Sequence, residues 1–168
     1  MISPSQSGAT ICGEPFKRRT HYRKCMVRSL PTKSRRMIVA RLEPGEDVLE
    51  TIEKVAVSQG IRTASLTGIG ALSKARLAFF DRDSRTYREL SIDKDVEIIS
   101  CVGNVCINEG KPMAHLHMSV SDESGSCHGG HVRKGCQVSL TMEVFFIEAA
   151  EEITKEKDSA TGLNLMNI

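Results

Sequence analysis

Aromatic side chains are scarce: tryptophan is absent, and aromatic residues make up 4% of the 168 positions. The strands therefore lack the stacking platform on which a single-strand nucleic-acid binder seats its bases. No apolar run approaches the roughly 20 residues that a membrane-crossing helix needs. Cysteine occurs six times, at Cys12, Cys25, Cys101, Cys106, Cys127 and Cys136, yet no two form a C-x-x-C pair and no secretory leader is recognisable ahead of them. The expectation is reduced thiols in an intracellular, cytoplasmic protein rather than a disulfide framework. The glycines of Thr67-Gly68-Ile69-Gly70-Ala71 are followed by no Gly-Lys-Ser/Thr, so the segment reads as a tight turn between strands and not as a phosphate loop.

Acidic residues are nearly missing from one end. Positions 1–36 hold nine Lys or Arg against one acid, whereas the remainder holds fourteen against twenty, and the whole carries +2. Ser, Thr, Pro and Gly are scattered through that first stretch with little hydrophobic periodicity, so 1–36 reads as a flexible basic extension. It fits an electrostatic arm for DNA, an organelle presequence, a segment upstream of a later start at Met26 or Met37, or a solvated tail without a role. Residues 37–150 carry twelve basic against sixteen acidic side chains, a balance that would repel a duplex.

From Met37 the pattern tightens into one domain, 37–150, of ordinary size. Met37–Leu42 alternates as a strand, Pro44-Gly45 breaks it, and Val48, Leu49, Ile52, Val55 and Ala56 recur at helical spacing within 46–58. Strands are expected over 63–67, 75–80, 87–92 and 96–107, then through the histidine run and over 126–132 and 137–148. Residues 81–84 and 108–111 supply hairpin turns. One main helix against a mostly antiparallel twisted sheet makes the fold class α+β. The last stretch, 151–168, is charged and then apolar, and is expected to dock on its own body or on a neighbouring subunit.

Histidine carries the chemistry. His115 and His117 stand one residue apart in Met113-Ala114-His115-Leu116-His117-Met118, where Ala114, Leu116, Met118 and Val120 alternate with polar positions. On a strand the two imidazoles leave the same face about 7 Å apart, within reach of one ion. His131, from the Gly129-Gly130-His131 turn, could complete a three-histidine site with a fourth position left for water or a small-molecule ligand. The bland alternative is a set of polar residues on a wetted sheet face. Cys127 is a further candidate ligand, ranked below the histidines. Glu143, in an otherwise apolar strand, is the candidate general base; an ion pair or a subunit contact is the commoner reason for such a residue. A zinc ion so held would suit a small enzyme acting on a carbonyl or ester compound.

Five motifs together resemble the PPC ("plants and prokaryotes conserved") domain in its bacterial and archaeal form. They are Arg41-Leu42-Glu43-Pro44-Gly45-Glu46-Asp47, Thr67-Gly68-Ile69-Gly70-Ala71-Leu72, Val96-Glu97-Ile98-Ile99-Ser100 with Gly103-Asn104, the three histidines in their settings, and Thr161-Gly162-Leu163-Asn164-Leu165. The resemblance implies a compact α+β subunit, a homotrimer, and a family description as DNA-binding. Plant members add an Arg-Gly-Arg-Pro element for the minor groove; this sequence has none. The His-x-His strand with its later histidine is also similar to the zinc site of acetolactate decarboxylase, onto which only His115, His117 and His131 carry over as ligands.

Overall fold

The computed structural model describes residues 27–168. His21, Cys12, Cys25 and most of the basic extension lie outside them. The described residues form β1 (Ser34–Leu42), α1 (Val48–Gln59), β2 (Ala64–Asp81), β3 (Thr86–Ile92), β4 (Val96–Asn108), β5 (Lys111–Ser121), β6 (Cys127–Val132), β7 (Gln137–Ala149), β8 (Lys155–Lys157) and β9 (Asn164–Met166). Seven strands make one antiparallel sheet in the order β1-β7-β2-β4-β5-β6, with β3 paired to β2. The class is α+β.

The helix starts where its cap sits. Asp47 is extended and its carboxylate accepts from the Glu50 N–H at 3.0 Å, so α1 begins at Val48, two residues later than the expected start at 46. Left-handed Gly60 ends it, with the Ile61 N–H reaching back to the Ala56 carbonyl at 2.8 Å. Val48, Ile52 and Ala56 fall on one face and join Leu42, Leu66, Leu72, Leu116, Val144 and Phe146 in the core. Phe146 is fully buried, a burial that stabilises by roughly 1.5–3 kcal/mol.

Residues 67–71 are not a turn. They lie inside β2, an 18-residue strand that runs unbroken where two strands and a connection are expected. Its register shifts beside Gly70 against both neighbours, and Gly70 has φ +153; a side chain there would bring Cβ to 2.3 Å from the Thr141 carbonyl oxygen. Glycine here admits a bulge and a close strand approach, which composition alone does not separate from a turn.

The length of β2 shapes the molecule. Its first half pairs with β4 and β7, and its second half with β3 and, through Leu77↔Val132 and Ala78↔His131, with β6. The path β2-β4-β5-β6 thus curls until it meets β2 again. After β7 the chain returns along the end of β4, where the Ile107 N–H donates to the Ile153 carbonyl at 2.9 Å, and finishes in the β8–β9 hairpin. Among the described residues no helix is long and apolar enough to cross a membrane.

Candidate metal centre

Alternation on β5 sends Ala114, Leu116, Met118 and Val120 into the core and His115 and His117 to the opposite face. His131 does not come from a turn. Gly129-Gly130-His131 belongs to β6, and His131 stands directly across the ladder from His117. The glycines serve close packing: a Cβ on Gly130 would lie 2.8 Å from the Ala78 carbonyl oxygen. Cross-strand neighbours on one face meet at their side chains, and the three rings gather with centroids 5.0–5.5 Å apart.

One ligand nitrogen from each ring lies within 4.8 Å of the others. A tetrahedral ion with bonds near 2.1 Å sets its ligands roughly 3.4 Å apart, so modest side-chain rotation closes the set. His131 Nδ1 is buried without a hydrogen-bond partner. Buried polar atoms are nearly always satisfied, and a coordinated ion would supply the missing partner. Burial, reinforced by the charges of His115, His117, Arg133 and Lys155, pushes the His131 pKa down to about 4; burial, then Lys155 and His117, lowers that of His115. Both rings are therefore held neutral, the form that ligates metal.

Around the cluster stand residues that the sequence did not single out. Tyr87 stacks on His131 at 5.0 Å and meets Phe80 edge-on at 5.1 Å, while the Arg133 guanidinium sits 5.2 Å over the Tyr87 ring and 3.7 Å from Glu89. Asn104 faces His115 across the β4–β5 ladder. Lys155, at the start of β8, is 7% exposed. Except for Arg133, which directly follows β6, these neighbours come from segments remote in sequence and leave no local signal.

Glu143 is not among the groups brought together. It is exposed on β7, not turned to the core; Phe145 and Ile147 on the same face are exposed too, so apolar neighbours did not mark an inward face. Two strands separate β7 from β5, which at about 4.8 Å per strand puts Glu143 on the order of 14 Å from the histidines along the sheet. Cys127 is exposed and outside the cluster, whereas Cys101, Cys106 and Cys136 are buried free thiols.

The histidine face is unusually apolar elsewhere. Register runs from Val39 to Phe145, Thr67, Val102 and His117, and a parallel row from Met37 to Ile147. Met37, Val39, Ile69, Ile99, Val102, Phe145 and Ile147 are each between 41% and 64% exposed.

Residues 30–150 match the Plants and Prokaryotes Conserved (PCC) domain. Bifunctional protein GlmU from two Synechococcus strains is 32% and 30% identical over 135 residues, 79% of this chain but 20% of each of theirs, so the chain spans a fifth of the length of these curated relatives. Among solved structures, the metal-containing protein of Archaeoglobus fulgidus superposes with TM-score 0.79 at 27% identity, covering 84% of this chain and 100% of that one. The plant- and prokaryote-conserved (PPC) protein of Pyrococcus horikoshii gives 0.77 at 30%, covering 85% and 98%. A candidate DNA-binding protein from Ralstonia eutropha JMP134 gives 0.71 at 25%, covering 77% and 90%. The similarity to α-acetolactate decarboxylase from Bacillus subtilis is weaker, with TM-score 0.49 at 17% identity over 74% of this chain and 57% of that one.

Proposed function

The chain belongs to the Plants and Prokaryotes Conserved (PCC) domain family, and from that footing we propose that it is a homotrimeric metal-binding protein in which His115, His117 and His131 hold one zinc-type ion. The observation that carries this is the convergence of three ligand nitrogens within 4.8 Å, one of the rings having an orphaned buried nitrogen. That the Archaeoglobus relative is described as metal-containing supports it. Three protein ligands leave a tetrahedral ion one position for water or a small molecule, and bound zinc supplies a water of lowered pKa and polarisation of a carbonyl oxygen. A carbonyl or ester compound is thus the class of ligand for which the site is suited.

Exposed apolar rows on the histidine face favour burial against further copies of the chain, since contiguous apolar surface of this kind marks an interface; the family resemblance supplies the number three. Metal analysis of purified protein beside a His115→Ala/His117→Ala double variant tests the site. We expect near-stoichiometric metal in the parent and loss in the variant, with circular dichroism unchanged. Equal metal in both would overturn the assignment, and light scattering giving a monomer mass would overturn the trimer.

The charge distribution favours a second role, phosphate contact with DNA through the basic extension, in keeping with the description of the Ralstonia relative. Such binding would be weak, salt-dependent and blind to sequence. β1 begins at Ser34 and Arg36 bonds Glu148 at 2.6 Å, so the deletion that tests this role removes residues 1–26 and spares the sheet. Duplex affinity should fall with a shallower salt slope while metal content stays; unchanged affinity would refute the role.

A further inference from the structure

The ring of His131 has an aromatic wall built against it. A ligating imidazole is ordinarily oriented by a hydrogen bond at its other nitrogen, to a carboxylate, a carbonyl or water. His131 Nδ1 is buried with no such partner. What meets the ring instead is Tyr87, its centroid 5.0 Å away and its plane inclined by only 24°. The wall is itself braced. Phe80 meets the Tyr87 ring edge-on at 5.1 Å, and the Arg133 guanidinium, 5.2 Å over the same ring, has its Nε 3.7 Å from Glu89. Aromatic pairs favour these geometries, and a cation within about 6 Å of a ring is attracted to its face.

Backbone register brings the parts together. Phe80 pairs with Tyr87 and Ala78 with Glu89 on β3, while the other edge of β2 pairs Ala78 with His131. Paired positions put their side chains on one face, so all five residues share the histidine side. Tyr87 stands two strands from His131, on the order of 10 Å, and its side chain has to cross β2 to reach the imidazole. Ala78, between His131 and Glu89, presents only a methyl group, which leaves that crossing open.

We propose that Tyr87 is the positioning residue of this site: its ring holds the His131 imidazole in a fixed plane, so that His131 is the preset ligand to which the other two histidines adjust. The proposal rests on the three-histidine reading and adds which ligand is fixed, and by what. Ligand nitrogens within 4.8 Å of one another have to draw together to roughly 3.4 Å around a tetrahedral ion. His117 is exposed and free to turn, whereas His131 is half-buried and stacked.

The test measures zinc affinity, by competition with a chromophoric chelator, and the ligand-field spectrum of the cobalt-substituted protein, in full-length parent, Tyr87→Phe and Tyr87→Leu. Tyr87→Phe keeps the stack, and Tyr87→Leu keeps apolar bulk without a ring; Tyr87→Ile stands in if Tyr87→Leu fails to fold. Contacts that orient a ligating histidine are worth roughly 10–100-fold in metal affinity. Tyr87→Leu should therefore lose at least tenfold, with a shifted cobalt spectrum and unchanged circular dichroism of the metal-free protein. Tyr87→Phe should stay within threefold of the parent and keep its spectrum. A loss smaller than tenfold in Tyr87→Leu, an unaltered cobalt spectrum, or an equal loss in Tyr87→Phe overturns the proposal and leaves the three-histidine reading standing. Zinc held as tightly by His131→Ala as by the parent, or not held by the parent at all, removes that reading and the proposal together.

Discussion

Replacing Gly103 by alanine strikes the place where β4 and β5 approach most closely beside the histidines. A Cβ there would fall 2.1 Å from the His115 carbonyl oxygen and 2.9 Å from the Leu116 Cα and Cδ2. Backbone supplies two of these atoms, so rotating a side chain gives no relief and the strands must part by about 1 Å. Overpacking a dense interior costs about 1–3 kcal/mol, and backbone contact puts this case at the upper end, about 3 kcal/mol. At about 2–4 °C per kcal/mol for a chain of this size, melting should fall by about 6–12 °C. The displaced backbone is that of His115, and metal geometry tolerates only about 0.2 Å, so metal affinity should fall at least tenfold as well. Gly129 is the internal control, because its nearest atom would be 3.2 Å away and small adjustments suffice. Thermal unfolding of metal-free protein at one fixed concentration reads the first effect, and metal retention on dialysis reads the second. If Gly103→Ala and Gly129→Ala both melt within 2 °C of the parent, the strand approach described here is wrong.

Acid should weaken the metal-free protein through His131. Its pKa is about 4 when folded against 6.5 ordinarily, so between these values the unfolded chain binds more protons; the contribution is complete above pH 6.5 and is lost as pH falls toward 4, on the order of 3 kcal/mol in all. His131→Gln should flatten urea midpoints measured across that window, and parallel curves for parent and variant would exclude the effect. Among the four cysteines of the described residues, thiol reagents should label Cys127 first in the native protein, because burial pushes the Cys101 pKa up to about 12 and raises those of Cys106 and Cys136; mass mapping showing Cys101 modified at a matching rate would contradict the burial. Asp47→Ala removes both the helix cap and a 2.6 Å bond to the Gly135 N–H, and about 2–3 kcal/mol should be lost. Asp47→Asn should recover part of it, and a denaturation midpoint unmoved by Asp47→Ala would contradict both contacts.

What could be read from the sequence was local. Alternation from Ala114 to Val120 assigned His115 and His117 to one face because strand period is a property of neighbours, and helical spacing from Val48 to Ala56 located α1 for the same reason. Glycine is ambiguous by itself: at 68–70 it reads as a turn, while in the fold it lets strands crowd, and at 129–130 the strand expected over 126–132 forms with the glycines inside it packed closely rather than turning. Nothing near Glu143 could say which face of β7 would be covered, since Phe145 and Phe146 make both faces apolar. Tyr87 reaches the site only through the pairing of β3 with β2 and of β2 with β6, strands remote in sequence, and so leaves no mark near the histidines.

Closure of the curled sheet depends on two residue pairs, Leu77↔Val132 and Ala78↔His131. His131 thus belongs at once to the seam and to the candidate site. An ion gripping it together with β5 would act as a rivet next to that seam, and site occupancy and the zipping of the last strand would become one equilibrium. Amide exchange at Ala78 and Val132 would then report what the histidines hold, far more sensitively than any change in the rest of the sheet.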